Sequence, residues 1–381
     1  MQADKESSVL FRNDADGREM LFSRPRELLV AWDGATLFPM LEKAERARSD
    51  GLWLAGYLSY EAGYLLEPKL APLLPAARRG PLLRLGVFDP PDERPIVDGE
   101  EAGQAGLFDA QASWRFDDYR RRFDRLHRHL MAGDCYQANL TFAISARWRG
   151  TPAELFNALG RRQPVRYGAL VDLGWPVILS RSPELFFEVS RDGWIEALPM
   201  KGTAPRGATP AEDAALKDFL RSDPKNQAEN RMIVDLLRND ISRICEVGTL
   251  GVPQSFHVET YPTVHQMVSR VRARLAGRPS LLEVFCALFP CGSVTGAPKI
   301  RAMEILRQLE DAPREAYCGA IGWAAPDGSM RFNVAIRTVS LFPDASAVYN
   351  VGGGVVYDST AESEYAEALL KARFAESPDA R

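Results

Sequence analysis

The chain lacks the residues that would staple it covalently. Its five cysteines are an odd number with no C-x-x-C pair, which excludes a disulfide framework and a cysteine-based zinc site. Nowhere is there a run of about 18 apolar residues, so no membrane-spanning helix is expected. Met1–Met20 is charged and has no apolar stretch of the kind a secretory leader needs. Basic clusters are scarce too. The densest is Arg120, Arg121, Arg122, Arg125 and Arg128, broken by acids and apolar residues, which reads as the solvated face of a helix. With a formal charge of −4, nucleic acid is excluded as the main partner, because phosphate binding needs clustered Lys and Arg. No Ser-His-Asp or Cys-His constellation has a local signature. The expected compartment is the reducing cytoplasm.

Hydrophobic residues make up 46% of the 381, enough for a sizeable core. That length suits one large domain or two to three average ones. Glu67–Gly106 is rich in Pro and Gly and reads as long connections around a strand at Leu82–Phe88. Past it, Phe116, Tyr119, Phe123, Leu126 and Leu130 recur at helical spacing, and Tyr136–Ile144 alternates like a strand with one apolar face. Further strands are expected at Trp53–Tyr60, Tyr167–Leu173, Val177–Ser180, Leu185–Val189, Trp194–Leu198, Tyr317–Ala324, Phe332–Leu341 and Ala347–Val356. Helices are expected at Glu212–Leu220, Gln227–Ile244, Leu281–Leu288, Ile300–Leu309 and Ala361–Phe374. Runs of strands with helices between groups predict an α+β chain with large antiparallel sheets.

Several segments carry chemistry. Glu229 is in register with Met232, Ile233, Leu236 and Leu237 on one helix. It either complements the helix dipole or, turned toward the apolar side, needs a cation. Glu364, Glu367 and Lys371 share a face of the last helix, whose start is expected at a capping box formed by Ser359 and Glu362. The two acids are either a solvated pair or, with an acid from another helix, a site for Mg²⁺. The run NVGGGVVYDS sets three glycines in a β-forming stretch, which suits a bulge or the close approach of a ligand. CGSVTGAPKIRAMEIL is a Gly-rich loop entering a helix, favourable to anions but without P-loop spacing. Lys201, in a Gly-Thr turn, and Glu184, opening a strand, are individually ambiguous.

Together, CYQANL, SRSPELFF, PMKGTAPRG, ENRMIVDLLRNDISRI, VHQMVS, GSVTGAPKIRAMEI, YCGAIGW, FNVAIRT, GGGVVYDS and ESEYAEALLKA resemble, in order, the chorismate-utilising enzymes: anthranilate synthase component I, aminodeoxychorismate synthase component I, isochorismate synthase and salicylate synthase. The resemblance implies a sandwich of two large antiparallel β-sheets flanked by helices. Residues 1–110 would add strands and loops to the same fold, and 111–376 would form the chorismate-binding catalytic region. It implies Mg²⁺ on Glu229, Glu364 and Glu367, and substrate binding by Thr203, Tyr317, Arg337, Gly353, Gly354, Lys371 and His265. The chain departs from the anthranilate synthase pattern here, since Gln266 stands where those enzymes carry a histidine and His265 is its neighbour. Lys201 would be the nucleophile and Glu184 the general acid and base.

Within the family, Gln137 stands where water-adding members carry a lysine base, and Lys201 where anthranilate synthases carry alanine. The resemblance therefore favours aminodeoxychorismate synthase, which aminates chorismate on the way to 4-aminobenzoate and folate, with anthranilate synthase as the alternative. The L-L-E-S signature of tryptophan-regulated members is missing from the early chain. No nucleophile-elbow cysteine followed by His and Glu is visible, so a separate glutamine amidotransferase is the expected source of ammonia. The alternative of another class is a non-catalytic anion-binding protein built on the GSVTGAPK loop.

Overall fold

A computed structural model describes residues 7–96, 105–261 and 264–376. Among them are two ten-stranded sheets in which every pairing is antiparallel. The first runs Gly296–Ala297, Gln137–Arg149, Ser346–Val356, Thr338–Leu341, Val177–Ser182, Tyr167–Asp172, Ser8–Asn13, Arg18–Ser23, Asp92–Pro95, with Gly106–Ala112 also pairing with Gln137–Arg149. The second runs Met200–Pro205, Val264–Arg274, Trp194–Ala197, Leu185–Val189, Met330–Val334, Ala320–Ala324, Trp53–Leu58, Leu83–Phe88, Glu27–Ala31, with Gly251–Thr260 beside Val264–Arg274. Strands from the first 96 residues thus enter both sheets.

One apolar cluster joins Val9, Phe22, Val171 and Ile178 of the first sheet to Ala55, Tyr57, Phe88 and Ile321 of the second. This is the interior of the sandwich, where full burial of each large side chain contributes roughly 1.5–3 kcal/mol. The outer face of each sheet is covered by helices. Phe116–Met131, Pro152–Arg162, Lys299–Leu309 and Ala361–Ala372 pack on the first, and Gly34–Ser49, Pro224–Ser242 and Leu281–Leu288 on the second. Helix Phe116–Met131 buries Tyr119, Phe123, Leu126 and Leu130, the stripe its spacing predicts. Its arginines face solvent except Arg122, which lies over the Trp114 ring and bonds Asp311 and the Leu309 carbonyl.

The antiparallel α+β sandwich is as expected, with local corrections. Phe332–Leu341 is two strands. Met330–Val334 lies in the second sheet and Thr338–Leu341 in the first, and the chain crosses between them at Ala335–Arg337, with Arg337 at φ +52°. Val177–Ser182 and Leu185–Val189 likewise belong to different sheets, joined through Pro183 and Glu184. The crossings lie side by side, since Arg181 N–H donates to Arg337 O at 2.9 Å and Val334 N–H to Glu184 O at 3.1 Å. The strand expected from Tyr317 begins at Ala320, leaving Tyr317 in a turn. The last helix is capped by Thr360, whose hydroxyl accepts from Ser363 N, so the Ser359–Glu362 capping box does not form.

Candidate active site

The two sheet crossings place Glu184 and Arg337 where the layers exchange strands. Glu184 is buried, and its carboxylate accepts the Ser293 hydroxyl at 2.7 Å. Burial pushes its pKa up to about 7, against the Ser293 hydrogen bond and the charge of Lys201. Lys201 comes from the edge strand Met200–Pro205, where a bulge between Met200 and Thr203 breaks the register with Val264–Arg274. Burial holds its pKa below the usual lysine value. Lys371 pushes the same way, while Glu229, Glu184 and Glu367 oppose.

The strand Ser346–Val356 supplies the floor. Gly352, Gly353 and Gly354 pair with Thr141, Leu140 and Asn139. A Cβ on Gly353 would come within 3.0 Å of Glu364 Oε2 and 3.5 Å of Lys371 Nζ. On Gly354 it would sit 3.1 Å from Lys201 Nζ and from the Gln137 amide. The glycines are therefore there for space: their missing side chains let groups from three other elements converge on one stretch of backbone. Gln137 is fully buried, and neither polar atom of its amide has a hydrogen-bond partner. Tyr317 is buried, and burial raises its phenol pKa well above the ordinary value, so it stays a neutral donor. Arg337 lies within electrostatic reach of Tyr317 and Glu367.

The acidic residues come from two helices. Glu364 Oε1 accepts the Ser359 hydroxyl at 2.7 Å. Glu367 pairs with Lys371 at 2.7 Å, and Lys371 Nζ also donates to Gly352 O at 3.0 Å. Burial raises the pKa of Glu364, and the negative charges of Glu367 and Glu229 add to it, against Ser359 and Lys371. For Glu367 burial pushes upward, but Lys371, Lys201 and Arg337 win and hold its carboxyl below the ordinary range. Among the described residues no three His, Cys, Asp or Glu side chains are gathered as a ready-made ligand set. The donor chemistry still fits a hard cation. Carboxylates that repel each other across two helices would be relieved by a cation such as Mg²⁺, which keeps waters and needs only a few protein ligands.

Not every expected residue reaches this floor. His265 is bonded to Asp213 Oδ1 at 2.9 Å and Thr260 Oγ1 at 3.1 Å. Its neighbour Gln266 lies on the other face of the strand, accepts the Thr203 hydroxyl at 2.9 Å and donates to Gly202 O at 2.9 Å. Gln266 therefore supports the loop that carries Lys201, while His265 is engaged elsewhere. In the GSVTGAPK loop, Gly296–Ala297 is stitched into the first sheet beside Gln137 and Ala138. Lys299 is spent on Asp240 and Leu288 O, each at 2.7 Å. What the loop brings to the site is Ser293, a residue inside a recognised motif that sequence reasoning left without a role.

The family description that matches this chain, over residues 95–377, is that of a chorismate binding enzyme. Aminodeoxychorismate synthase component 1 of Klebsiella aerogenes is 40% identical over 289 residues, 74% of this chain and 64% of the relative. Anthranilate synthase component 1 of Methanothermobacter thermautotrophicus is 40% identical over 257 residues, 66% of this chain and 55% of the relative. This chain thus spans less than two thirds of the length of these curated relatives. The crystal structure of anthranilate synthase component I from Streptococcus pneumoniae superposes with a TM-score of 0.81 at 25% identity, covering 99% of this chain and 94% of that one. A match along most of the chain, on the fold just described, makes it a member of the chorismate-binding enzyme family.

Proposed function

We propose that this chain aminates chorismate to 4-amino-4-deoxychorismate, using ammonia delivered by a glutamine amidotransferase partner. The observation that carries the reading is the lysine beside the glycine floor. Lys201 Nζ lies against Gly354, its pKa is lowered by burial, and the buried carboxyl of Glu184 is near enough to couple to it. A nucleophile and a proton donor enclosed together suit a displacement in two covalent steps.

In the first step Lys201, neutral, bonds to C2 of chorismate through Nζ. The ring double bonds shift and the C4 hydroxyl departs as water with a proton from Glu184. In the second, ammonia bonds to C4, the double bonds return and the C2–Nζ bond breaks. The carboxylate of Glu184 takes up the proton that ammonia loses. Overall, one ammonia enters and one water leaves. Arg337, Tyr317 and the backbone at Gly353 and Gly354 are suited to hold the two substrate carboxylates by charge-assisted and N–H hydrogen bonds, with Lys371 beside them and Thr203 at the Lys201 loop. Glu229, Glu364 and Glu367 would hold Mg²⁺, which when bound neutralises and orients the dianion.

Relatives at 40% identity named aminodeoxychorismate synthase support this reading. The second reading, anthranilate formation with loss of pyruvate, is favoured by an equally identical relative named anthranilate synthase. Lys201 weighs against it. Product analysis by mass with chorismate, Mg²⁺ and ammonium separates them. Aminodeoxychorismate retains the enolpyruvyl group and does not fluoresce, whereas fluorescent anthranilate with free pyruvate would overturn the assignment.

A further inference from the structure

Ser293 holds Glu184, and locally its hydroxyl also meets Cys291 Sγ at 3.3 Å. The Thr295 hydroxyl braces the short 3₁₀ turn, Gly292–Val294, from Cys291 O and Gly292 O at 3.0 and 3.2 Å, but these contacts are internal to the turn. The anchor lies one layer behind. Arg314 is buried, with its side chain 1% exposed. Its guanidinium spends its donors in three directions: Nε and Nη2 on both oxygens of Glu310 at 2.8 and 2.6 Å, Nη1 on Val294 O at 2.8 Å, and Nη2 again on Asn139 O at 2.6 Å. Glu310 in turn accepts from the amide and hydroxyl of Thr141, each at 3.0 Å. Arg314 N–H donates to Glu61 at 2.7 Å, and Arg314 O accepts Tyr317 N–H at 3.1 Å.

Four of the segments so held adjoin the site. Val294 follows Ser293. Asn139 and Thr141 are the register partners of Gly354 and Gly352. Tyr317 closes the turn that Arg314 begins. A planar fork that holds two carbonyls and a carboxylate in fixed directions defines distances between chain segments in a way that no single-point cation can.

We propose that Arg314, with Glu310, is the positioning residue of this site: it fixes the Ser293 turn against the glycine floor and so sets where Glu184 presents its proton. The inference rests on the reading of Glu184 as the acid and base. The groups facing Glu184 are the Ser293 hydroxyl, the Lys201 ammonium and the Cys291 thiol. Of these, Ser293 is the one Arg314 controls.

The test compares Arg314→Lys, Ser293→Ala, the double variant and Glu184→Gln, each with chorismate, Mg²⁺ and ammonium across pH, beside thermal melting. Arg314→Lys keeps the charge that Glu310 requires and loses the fork. A displaced reacting group of this kind costs roughly 10²-fold in kcat, with a smaller change in KM. The acid limb, which Glu184→Gln should displace because Lys201 then titrates without its partner, should move upward in Ser293→Ala, which removes the donor that favours the carboxylate. It should move equally in Arg314→Lys, and no further in the double variant. A lowered Tm with kcat and that limb left at their wild-type values would overturn the inference while leaving Glu184 in place. A limb that neither Ser293→Ala nor Glu184→Gln alters would overturn the reading of Glu184 itself. If Arg314→Lys does not accumulate folded, Glu310→Gln loosens the same fork and is judged by the same outcomes.

Discussion

At the scale of single residues, the proposed chemistry turns on the number of protons shared by Lys201 and Glu184. The state with neutral Lys201 and protonated Glu184 carries the same number as the ion pair. Activity should therefore be flat between the two titrations and fall on either side, with apparent pKa values that belong to the pair. The acid limb is expected near the raised Glu184 value of about 7. Below it, both groups are protonated and the nucleophile is lost. The alkaline limb is expected below the usual lysine value of 10.5, because burial destabilises the ammonium; above it, the proton for the departing hydroxyl is gone. A profile for kcat with one limb alone would contradict the pairing. Covalency has its own check. Wild type with chorismate and no ammonia should gain a chorismate-derived mass, less water, on the peptide containing Lys201, and Lys201→Ala should lose most activity. An active Lys201→Arg without any adduct would mean that the lysine supplies charge only. The motifs that carry these residues were legible in the sequence because they are contiguous, but the residues' partners were not. His265 and Gln266 are adjacent in sequence and face opposite sides of one strand, so a one-residue ambiguity there separates a group bonded to Asp213 from one bonded to Thr203.

At the scale of elements, the glycine floor and the last helix act as a unit. Gly354→Ala would set a methyl 3.1 Å from both Lys201 Nζ and the Gln137 amide. One of the two must give by a few tenths of an ångström, and kcat/KM should fall to the extent that Lys201 Nζ is the group displaced, with little change in Tm. Wild-type rates with Ala at this position would show that Lys201 Nζ is not the group displaced. Glu367→Gln and Glu229→Gln each remove a carboxylate and should abolish turnover with the fold retained, judged by circular dichroism. Full activity of either at limiting Mg²⁺ would remove it from the ligand set. The strands around this floor show where sequence periodicity stops being informative. Phe332–Leu341 reads as one continuous β stretch, yet it leaves one sheet and enters the other at Arg337. Both halves are extended and alternate apolar with polar residues, and only the tertiary pairing distinguishes them. The helices were legible because their apolar spacing and caps are local. Edge strands such as Gly251–Thr260, which is largely open to solvent, carry little alternation to find.

At the scale of the whole molecule, the question is where the nitrogen comes from. Hydrolysis of glutamine by a thiol requires a cysteine whose pKa is lowered by nearby positive charge or a helix N-terminus. All five cysteines here are displaced the other way. Burial raises Cys135 to about 11 and Cys291 and Cys318 to about 12, and it also raises Cys245 and Cys286. A thiol whose pKa is raised holds its proton and is a poor nucleophile toward an amide. The purified chain should therefore turn over chorismate with ammonium salts. At fixed total ammonium, the dependence on pH should include the growing fraction of free ammonia, which is separated from the enzyme's own limbs by varying ammonium at each pH. With glutamine in place of ammonium the chain alone should be inactive, and addition of a glutamine amidotransferase subunit should restore turnover. Loss of that restored activity when the subunit's thiol is alkylated before mixing, with ammonium-supported activity unchanged, would place the two chemistries on separate chains. Glutamine-dependent product from the purified chain alone, persisting after traces of ammonium are removed, would contradict this division of labour and require a nucleophile other than these five thiols.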